Sequence, residues 1–252
     1  MNLPSRAVIH GVEGVGKTSM AAQAPGAIVL MARGETGLET LIDSGQMKET
    51  PHWPEVADWD QTIACIDWLT HEEHPYKTLV MDAGNGFERL CHEHVCRRDF
   101  KNDWGKSGFA SYSAGYEVSL ADWRILLTKL DGLREARRMA ILLICHTKVS
   151  AFRNPEGADY DRYTVDMHQK TWSLTSKWAD IILFANYFTV VEDKDGRTKG
   201  YGGRQRMLYT ERTASWDAKN RHGLPEQISM GSNGVEAWTN FVEALKTARS
   251  KQ

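Results

Sequence analysis

The chain has 252 residues, of which 41% are hydrophobic and 25% charged, and its net charge is −2. This composition supports one large α/β core, and no linker divides it, so we expect residues 1–252 to form a single domain. No apolar run is long enough to cross a bilayer and the N-terminus lacks a signal-peptide pattern, so we expect no membrane contact. The four cysteines do not suggest a disulfide framework, which favours the cytoplasm.

Predicted strands and helices alternate along the first part of the chain. A short apolar strand, Ala7–His10, leads through a glycine loop into a helix over Lys17–Ala24. The apolar run Ala27–Ala32 has the length of a buried parallel strand. A helix over residues 60–70 and a second buried strand, Thr78–Asp82, follow. This alternation is typical of a doubly wound, mainly parallel sheet.

The second part of the chain continues the alternation of helix and strand and ends with a predicted β-hairpin and a short helix. A helix is predicted over Ser119–Arg138, where Ser119 and Asp122 resemble a capping box, and a strand over Ala140–Cys145. A later strand begins at Asp180–Phe184, and a turn at Asp195–Gly196 predicts a C-terminal β-hairpin. The helix carries an apolar stripe of Leu120, Trp123, Leu127, Leu130 and Leu133, and a short amphipathic helix is expected over residues 237–248.

A glycine-rich loop between the first strand and the first helix matches the phosphate-binding pattern G-x-x-x-x-G-K-[ST]. Glycines let backbone N–H groups converge on phosphate oxygens, and the following helix presents its positive end. Lys17 is expected to reach the β- and γ-phosphates, and the Thr18 hydroxyl to ligate Mg²⁺. ATP and Mg²⁺ are therefore the predicted cofactors. The predicted nucleotide-binding residues are Gly11, Val12, Glu13, Gly14, Val15, Gly16, Lys17, Thr18 and Ser19.

Three further side chains are candidates for the chemistry at this loop. Asp82 ends a buried strand and is expected to hold Mg²⁺ with Thr18; the alternative is a helix cap. Glu35 follows the second strand and is the best remaining carboxylate to orient or deprotonate water; it could instead be a solvated loop acid. His146 follows the strand Ala140–Cys145, where it could contact the γ-phosphate or be only a hydrogen-bonded strand end.

Taken in order, these motifs resemble the core of RecA-like recombination ATPases, and most of all the short phage-encoded P-loop proteins of that group. A T-E-R stretch, Thr210–Arg212, and a K-N-R-x-G-L-P segment, Lys219–Pro225, extend the resemblance to roughly residues 6–228. The resemblance implies that Glu35 is the catalytic base and His146 the γ-phosphate sensor. It further implies that Lys219 and Arg221 are cations that act in the ATP site of a neighbouring subunit, so that a homo-oligomer has its ATP sites at subunit interfaces.

The resemblance also implies that two stretches expected to be irregular, about 97–117 and 148–172, occupy the positions of the DNA-facing loops of the family. The first interleaves cations with aromatic residues, a pattern that suits single-stranded DNA, although an insertion that only covers the core would also explain it. The second has balanced charge and little attraction for phosphate. The cations and aromatic residues of the first stretch are Arg97, Arg98, Lys101, Lys106, Phe100, Trp104, Phe109 and Tyr112.

The grouping of Cys91, His92, His94 and Cys96 could indicate a zinc site. The segment is expected to be helical, where only pairs of these side chains share a face, and no second ligand pair follows. A cysteine-containing helix is the favoured interpretation.

The sequence therefore predicts an ATPase acting on single-stranded DNA in phage-type recombination or strand annealing, in the cytoplasm of a bacterial host. The alternative is a P-loop ATPase that acts on a protein partner, as a helicase loader or regulatory switch. A small-molecule kinase is disfavoured because no arginine-rich lid segment lies between Asp82 and His146.

Overall fold

The computed structural model describes residues 3–194 and 197–250, without the side chains of residues 190–202. The strands are β1 Arg6–Gly11, β2 Ala27–Met31, β3 Thr78–Asp82, β4 Ala140–Phe152, β5 Tyr160–Val165, β6 Ile181–Lys194, β7 Arg197–Tyr209, β8 Lys219–Asn220 and β9 Gln227–Ser229. The α-helices are α1 Lys17–Ala21, α2 Gly37–Asp43, α3 Trp59–His71, α4 Gly84–Asp99, α5 Ala114–Arg137, α6 Gln169–Trp178 and α7 Gly234–Arg249.

The strands of the described residues form one sheet with the order β2-β3-β4-β1-β6-β7-β9. The five strands from β2 to β6 pair in parallel, and β7 and β9 add an antiparallel edge. This arrangement confirms the predicted mainly parallel α/β fold and the hairpin of β6 and β7, whose predicted turn at Asp195–Gly196 lies outside the described residues.

The two faces of the sheet bury two separate cores. Successive residues of a strand point to opposite faces, so that Val8 joins one core and Ile9 the other. The first core is covered by α3, α4 and α5, which contribute Leu69, Phe87 and Trp123 among others. The second core lies under α1 and α7. Because both faces are covered, the central strands read as continuous apolar runs, as the sequence indicated.

The structure corrects the predicted start of α5. The helix begins at Ala114, and Ser119 lies inside it with its hydroxyl donating to the Gly115 carbonyl at 2.7 Å. Asp122 accepts from Arg98 instead of completing a capping box. The predicted apolar stripe of this helix is buried as expected.

The segment 148–172 was expected to be irregular, and this expectation is wrong. β4 continues past the core to Phe152 and pairs antiparallel with β5, after which α6 begins at Gln169. This paired extension has mixed polar and apolar residues because much of it lies outside the core, and its hydrophobic pattern is correspondingly weak. Among the described residues, no helix is both long and apolar enough to span a membrane.

Candidate nucleotide-binding site

A cavity of about 360 Å³ lies where β1 and β3 end, with β4 passing between them. The carboxyl ends of neighbouring parallel strands meet at this edge of the sheet, which is the usual position of ligand sites in such folds. The predicted residues that line the cavity are Glu13, Gly14, Gly16, Lys17, Thr18 and Ser19 from the loop and Glu35, Asp82 and His146 from other elements. The sheet therefore brings together side chains that are far apart in sequence.

The remaining loop residues anchor the loop to the sheet. Gly11 ends β1, where it pairs with His146 of β4 on one side and Ala185 of β6 on the other. The Val12 N–H donates to the Ala185 carbonyl at 3.2 Å, and Val15 is fully buried. Gly11, Val12 and Val15 are thus the fixed base of the loop, and the lining residues face the cavity.

Lys17 is a buried cation inside the loop. Its ammonium donates to the carbonyl oxygens of Gly11 at 2.8 Å and Val12 at 2.9 Å. Burial lowers the pKa of Lys17, while the carboxylate of Asp82 acts in the opposite direction. A desolvated cation at the start of a helix is suited to an anionic ligand that restores the lost solvation.

Thr18 and Asp82 meet beside this cation. The Thr18 hydroxyl donates to the Asp82 carboxylate at 2.7 Å. Burial raises the pKa of Asp82, and the hydrogen bond from Thr18 opposes this effect. A hydroxyl and a carboxylate are hard oxygen ligands of the kind that Mg²⁺ takes together with phosphate oxygens. The predicted pair is therefore in contact, and its donor atoms fit Mg²⁺.

Glu35 and His146 form a second pair on the wall of the cavity. The Nε2 atom of His146 lies 3.2 and 3.3 Å from the two carboxylate oxygens of Glu35. The hydrogen bond to Glu35 raises the pKa of His146, and burial opposes it. Each residue was predicted separately from the sequence, and the contact between them was not predicted.

The start of α4 fits closely against this pair. A Cβ atom on Gly86 would lie 2.6 Å from the Cβ of Ala32 and 3.8 Å from a carboxylate oxygen of Glu35, so a larger residue would displace the wall. The side chain of Asn85 accepts from the backbone N–H of His146 at 3.2 Å. Asn85 was missed by sequence reasoning, although its position between two glycines directly after β3 is a recognisable signal of close packing.

Lys219 and Arg221 lie away from this cavity. Lys219 pairs with Ile182 on β6, about 10 Å along the strand from Ala185, which is level with Gly11. Its ammonium donates to carbonyl oxygens at the end of α6, including that of Ala179 at 2.6 Å, and burial lowers its pKa.

Arg221 follows toward the amino ends of the strands. Its guanidinium lies 3.5 Å from the carboxylate of Asp180 and is half exposed. The two predicted cations thus differ in exposure: carbonyl oxygens hold the Lys219 ammonium, whereas the Arg221 guanidinium faces Asp180 and stays half exposed. Lys219 lies about three residues, or roughly 10 Å, along β6 from the level of Gly11, and Arg221 lies two residues beyond Lys219.

The aromatic stretch is partly helical. Arg97 and Arg98 belong to α4 and pair with acids, Arg98 with Asp122 at 2.8 Å, so the expectation that they lie in an irregular loop is wrong. Phe109 is fully buried and cannot stack on a ligand.

The exposed part of this stretch is a shorter loop over residues 100–113. Trp104 is 48% exposed, and Tyr112 is fully exposed with a positive φ of 43°. Lys101 and Lys106 are exposed beside them. Two aromatic rings and two cations therefore remain available on this loop.

The Cys91–Cys96 segment is helical, as predicted, and lies within α4. Cys91 and Cys96 are buried, and burial lowers the pKa of His92 to about 4. Throughout residues 3–194 and 197–250, no cluster of three or more His, Cys, Asp or Glu side chains could hold a metal ion.

The glycine loop lies at the carboxyl edge of a parallel sheet and carries a lysine and a threonine beside a strand-end aspartate. These features define the P-loop class of nucleotide-binding proteins. The profile of the family described as an AAA domain matches residues 3–222, and the chain belongs to that family. No curated protein matches the chain. Among solved structures, the crystal structure of the RadB recombinase is similar with 12% identity and a TM-score of 0.49, over 93% of this chain and 90% of that chain.

Proposed function

We propose that the protein is a Mg²⁺-dependent ATPase of the RecA-like type. The observation that carries this proposal is the meeting of Lys17, the Thr18–Asp82 pair and the Glu35–His146 pair in one cavity. Each part of phosphoryl-transfer chemistry then has a residue: a cation for the phosphates, oxygen ligands for a metal, and a carboxylate for water.

The roles follow from position and charge. Lys17 and the N–H groups of the loop bind the phosphates, and Thr18 and Asp82 hold Mg²⁺, which when bound neutralises charge on the phosphate oxygens. Glu35 accepts a proton from, or orients, the attacking water. His146 is hydrogen-bonded to the Glu35 carboxylate on the wall of the cavity. A change in the phosphates bound there would therefore reach His146 directly or through Glu35.

We further propose that Arg221 acts in the ATP site of a second copy of the chain. Its distance from the phosphate loop of its own chain and its half-exposed guanidinium support action between subunits. Cations supplied in trans can raise phosphoryl-transfer rates by about 10³-fold or more. Lys219 was expected to act with Arg221; we propose that it fixes the segment by its contacts with the end of α6.

Single-stranded DNA is the proposed polymer ligand, bound in phage-type recombination or strand annealing in the cytoplasm of a bacterial host. The exposed aromatic residues Trp104 and Tyr112 with Lys101 and Lys106 support it, since bases stack on rings while phosphates pair with cations. The same loop also supports the alternative of a protein partner, because a fully exposed tyrosine is typical of interaction surfaces.

Steady-state ATP hydrolysis with and without single-stranded DNA separates the two. The proposal expects DNA to stimulate hydrolysis, and expects the stimulation to be lost in Trp104→Ala while the basal rate stays unchanged. Hydrolysis that ignores DNA in the wild-type protein would favour the protein-partner function. Absence of any Mg²⁺-dependent hydrolysis, with or without DNA, would refute the ATPase itself.

A further inference from the structure

Two carbonyl groups of the phosphate loop, those of Gly14 and Val15, accept hydrogen bonds from the C-terminal hairpin. A loop that turns N–H groups toward an anion turns carbonyl oxygens away from it, and a protein donor can hold such an oxygen in that direction. The Tyr187 hydroxyl donates to the Gly14 carbonyl at 3.2 Å. The Arg206 guanidinium donates through Nη1 to the Val15 carbonyl at 3.4 Å.

The pairing of β6 with β7 explains why two distant residues reach the same loop. Tyr187 and Arg206 are direct partners in the antiparallel register, so their side chains lie next to each other on one face of the hairpin. Tyr187 comes two residues after Ala185, which is level with Gly11 at the end of β1. The hairpin therefore carries both donors to the back of the loop.

Arg206 is itself held in place. Its Nε and Nη2 atoms donate to the Gly231 carbonyl at 3.3 and 2.9 Å, which ties the loop to the segment before α7. Its Nη1 atom would lie 2.8 Å from a Cβ atom on Gly16. Gly16 has a φ of 97°, a conformation that other residues rarely adopt. The close approach of Arg206 is thus a second reason for glycine at this position.

We propose that Tyr187 and Arg206 are positioning residues of the phosphate site. Tyr187 and Arg206 donate to the Gly14 and Val15 carbonyls and so hold these oxygens on the outer side of the loop. The neighbouring N–H groups then stay directed at the phosphates. The inference rests on the proposed nucleotide binding and adds to it two residues outside the P-loop pattern. Neither residue needs to touch the nucleotide.

Isothermal titration calorimetry with two ligands, MgADP and magnesium pyrophosphate, tests this inference. Tyr187→Phe removes a single oxygen and is expected to weaken binding of both ligands about fivefold, the scale of one neutral hydrogen bond. Arg206→Gln is expected to weaken both by roughly tenfold or more, since a charged donor is lost. Arg206→Lys should restore part of the loss.

Arg204→Gln is the matched control. Arg204 lies two residues earlier on β7 and is exposed, so its replacement should leave both affinities unchanged. Thermal unfolding without ligand shows whether each variant is folded; Tyr187→Phe, with its unchanged ring, is the variant best able to keep the fold. In hydrolysis, KM should rise by the same factor with kcat unchanged, because the lost interaction is one of uniform binding.

Equal weakening of both ligands supports positioning of the phosphate loop. Unchanged affinity in Tyr187→Phe and Arg206→Gln overturns it, as does a loss confined to MgADP, which would mean direct contact with the nucleoside. If the wild-type protein binds neither ligand, or if Lys17→Ala binds both as tightly as wild type, the proposed nucleotide function fails first and the inference fails with it.

Discussion

Replacing Glu35 by glutamine removes one negative charge at the wall of the cavity and preserves the shape of the side chain. The variant should bind MgATP about as tightly as wild type, because Glu35 contacts His146 and not the phosphate loop. Its kcat should fall ~100-fold or more, the scale of a lost general base. Nucleotide affinity and single-turnover hydrolysis, measured on the same preparation, separate binding from chemistry.

The same substitution has a second, independent consequence. Glu35 is the main cause of the raised pKa of His146, so Glu35→Gln should lower the pKa of His146 in an NMR titration. A folded-state pKa above the unfolded value means that the pair stabilises the fold most below the unfolded pKa of histidine. This contribution is lost as pH rises through the folded pKa. A double-mutant cycle of Glu35→Gln with His146→Gln should therefore show stronger coupling at about pH 5.5 than at about pH 9.

Glu39→Gln is the control, since Glu39 follows on the same segment but does not line the cavity. It should leave kcat and the pKa of His146 unchanged. Wild-type turnover in Glu35→Gln would refute the assignment of the base. An unchanged His146 titration in that variant would refute the pairing on which the assignment depends.

Three further predictions concern the metal, the DNA and the subunit interface. Asp82→Asn should abolish Mg²⁺-dependent hydrolysis yet raise Tm in metal-free buffer, which thermal unfolding with EDTA checks. Burial raises the pKa of Asp82 in the folded state, so its negative charge lowers the stability of the fold as pH rises above the unfolded pKa. Trp104→Ala should weaken binding of single-stranded DNA by roughly 1–3 kcal/mol in a fluorescence titration, whereas an unchanged affinity would remove the ring from the DNA site. Mixing Lys17→Ala with Arg221→Ala, each inactive alone, should restore part of the ATPase activity if Arg221 acts in trans; a mixture as inactive as its components would contradict action between subunits.

The core of the site could be predicted because its signals are local. The phosphate loop is one continuous pattern, and Asp82 ends a buried strand. Parallel strands share one carboxyl edge, which brings Asp82 of β3 near Thr18 after β1, although β4 lies between the two strands. The apolar runs of β2, β3 and β4 gave the strands correctly because both faces of the sheet are covered.

The rest depended on contacts between distant parts of the chain. Tyr187 lies 173 residues from Gly14, and nothing in the local pattern around it indicates a phosphate loop. The extension of β4 and β5 was missed because strands outside the core lose the apolar alternation that marks them. Arg98 was assigned to a DNA-facing loop because its partner, Asp122, comes from another helix.

The most direct test of the central claim is the rate of ATP hydrolysis by the purified protein and by Lys17→Ala, each with Mg²⁺ and with EDTA. Lys17 is the cation buried within the loop that lines the cavity, so its loss removes the charge that bridges the phosphates. The account predicts Mg²⁺-dependent turnover in the wild-type protein and none in the variant. Near-normal turnover in folded Lys17→Ala would contradict it.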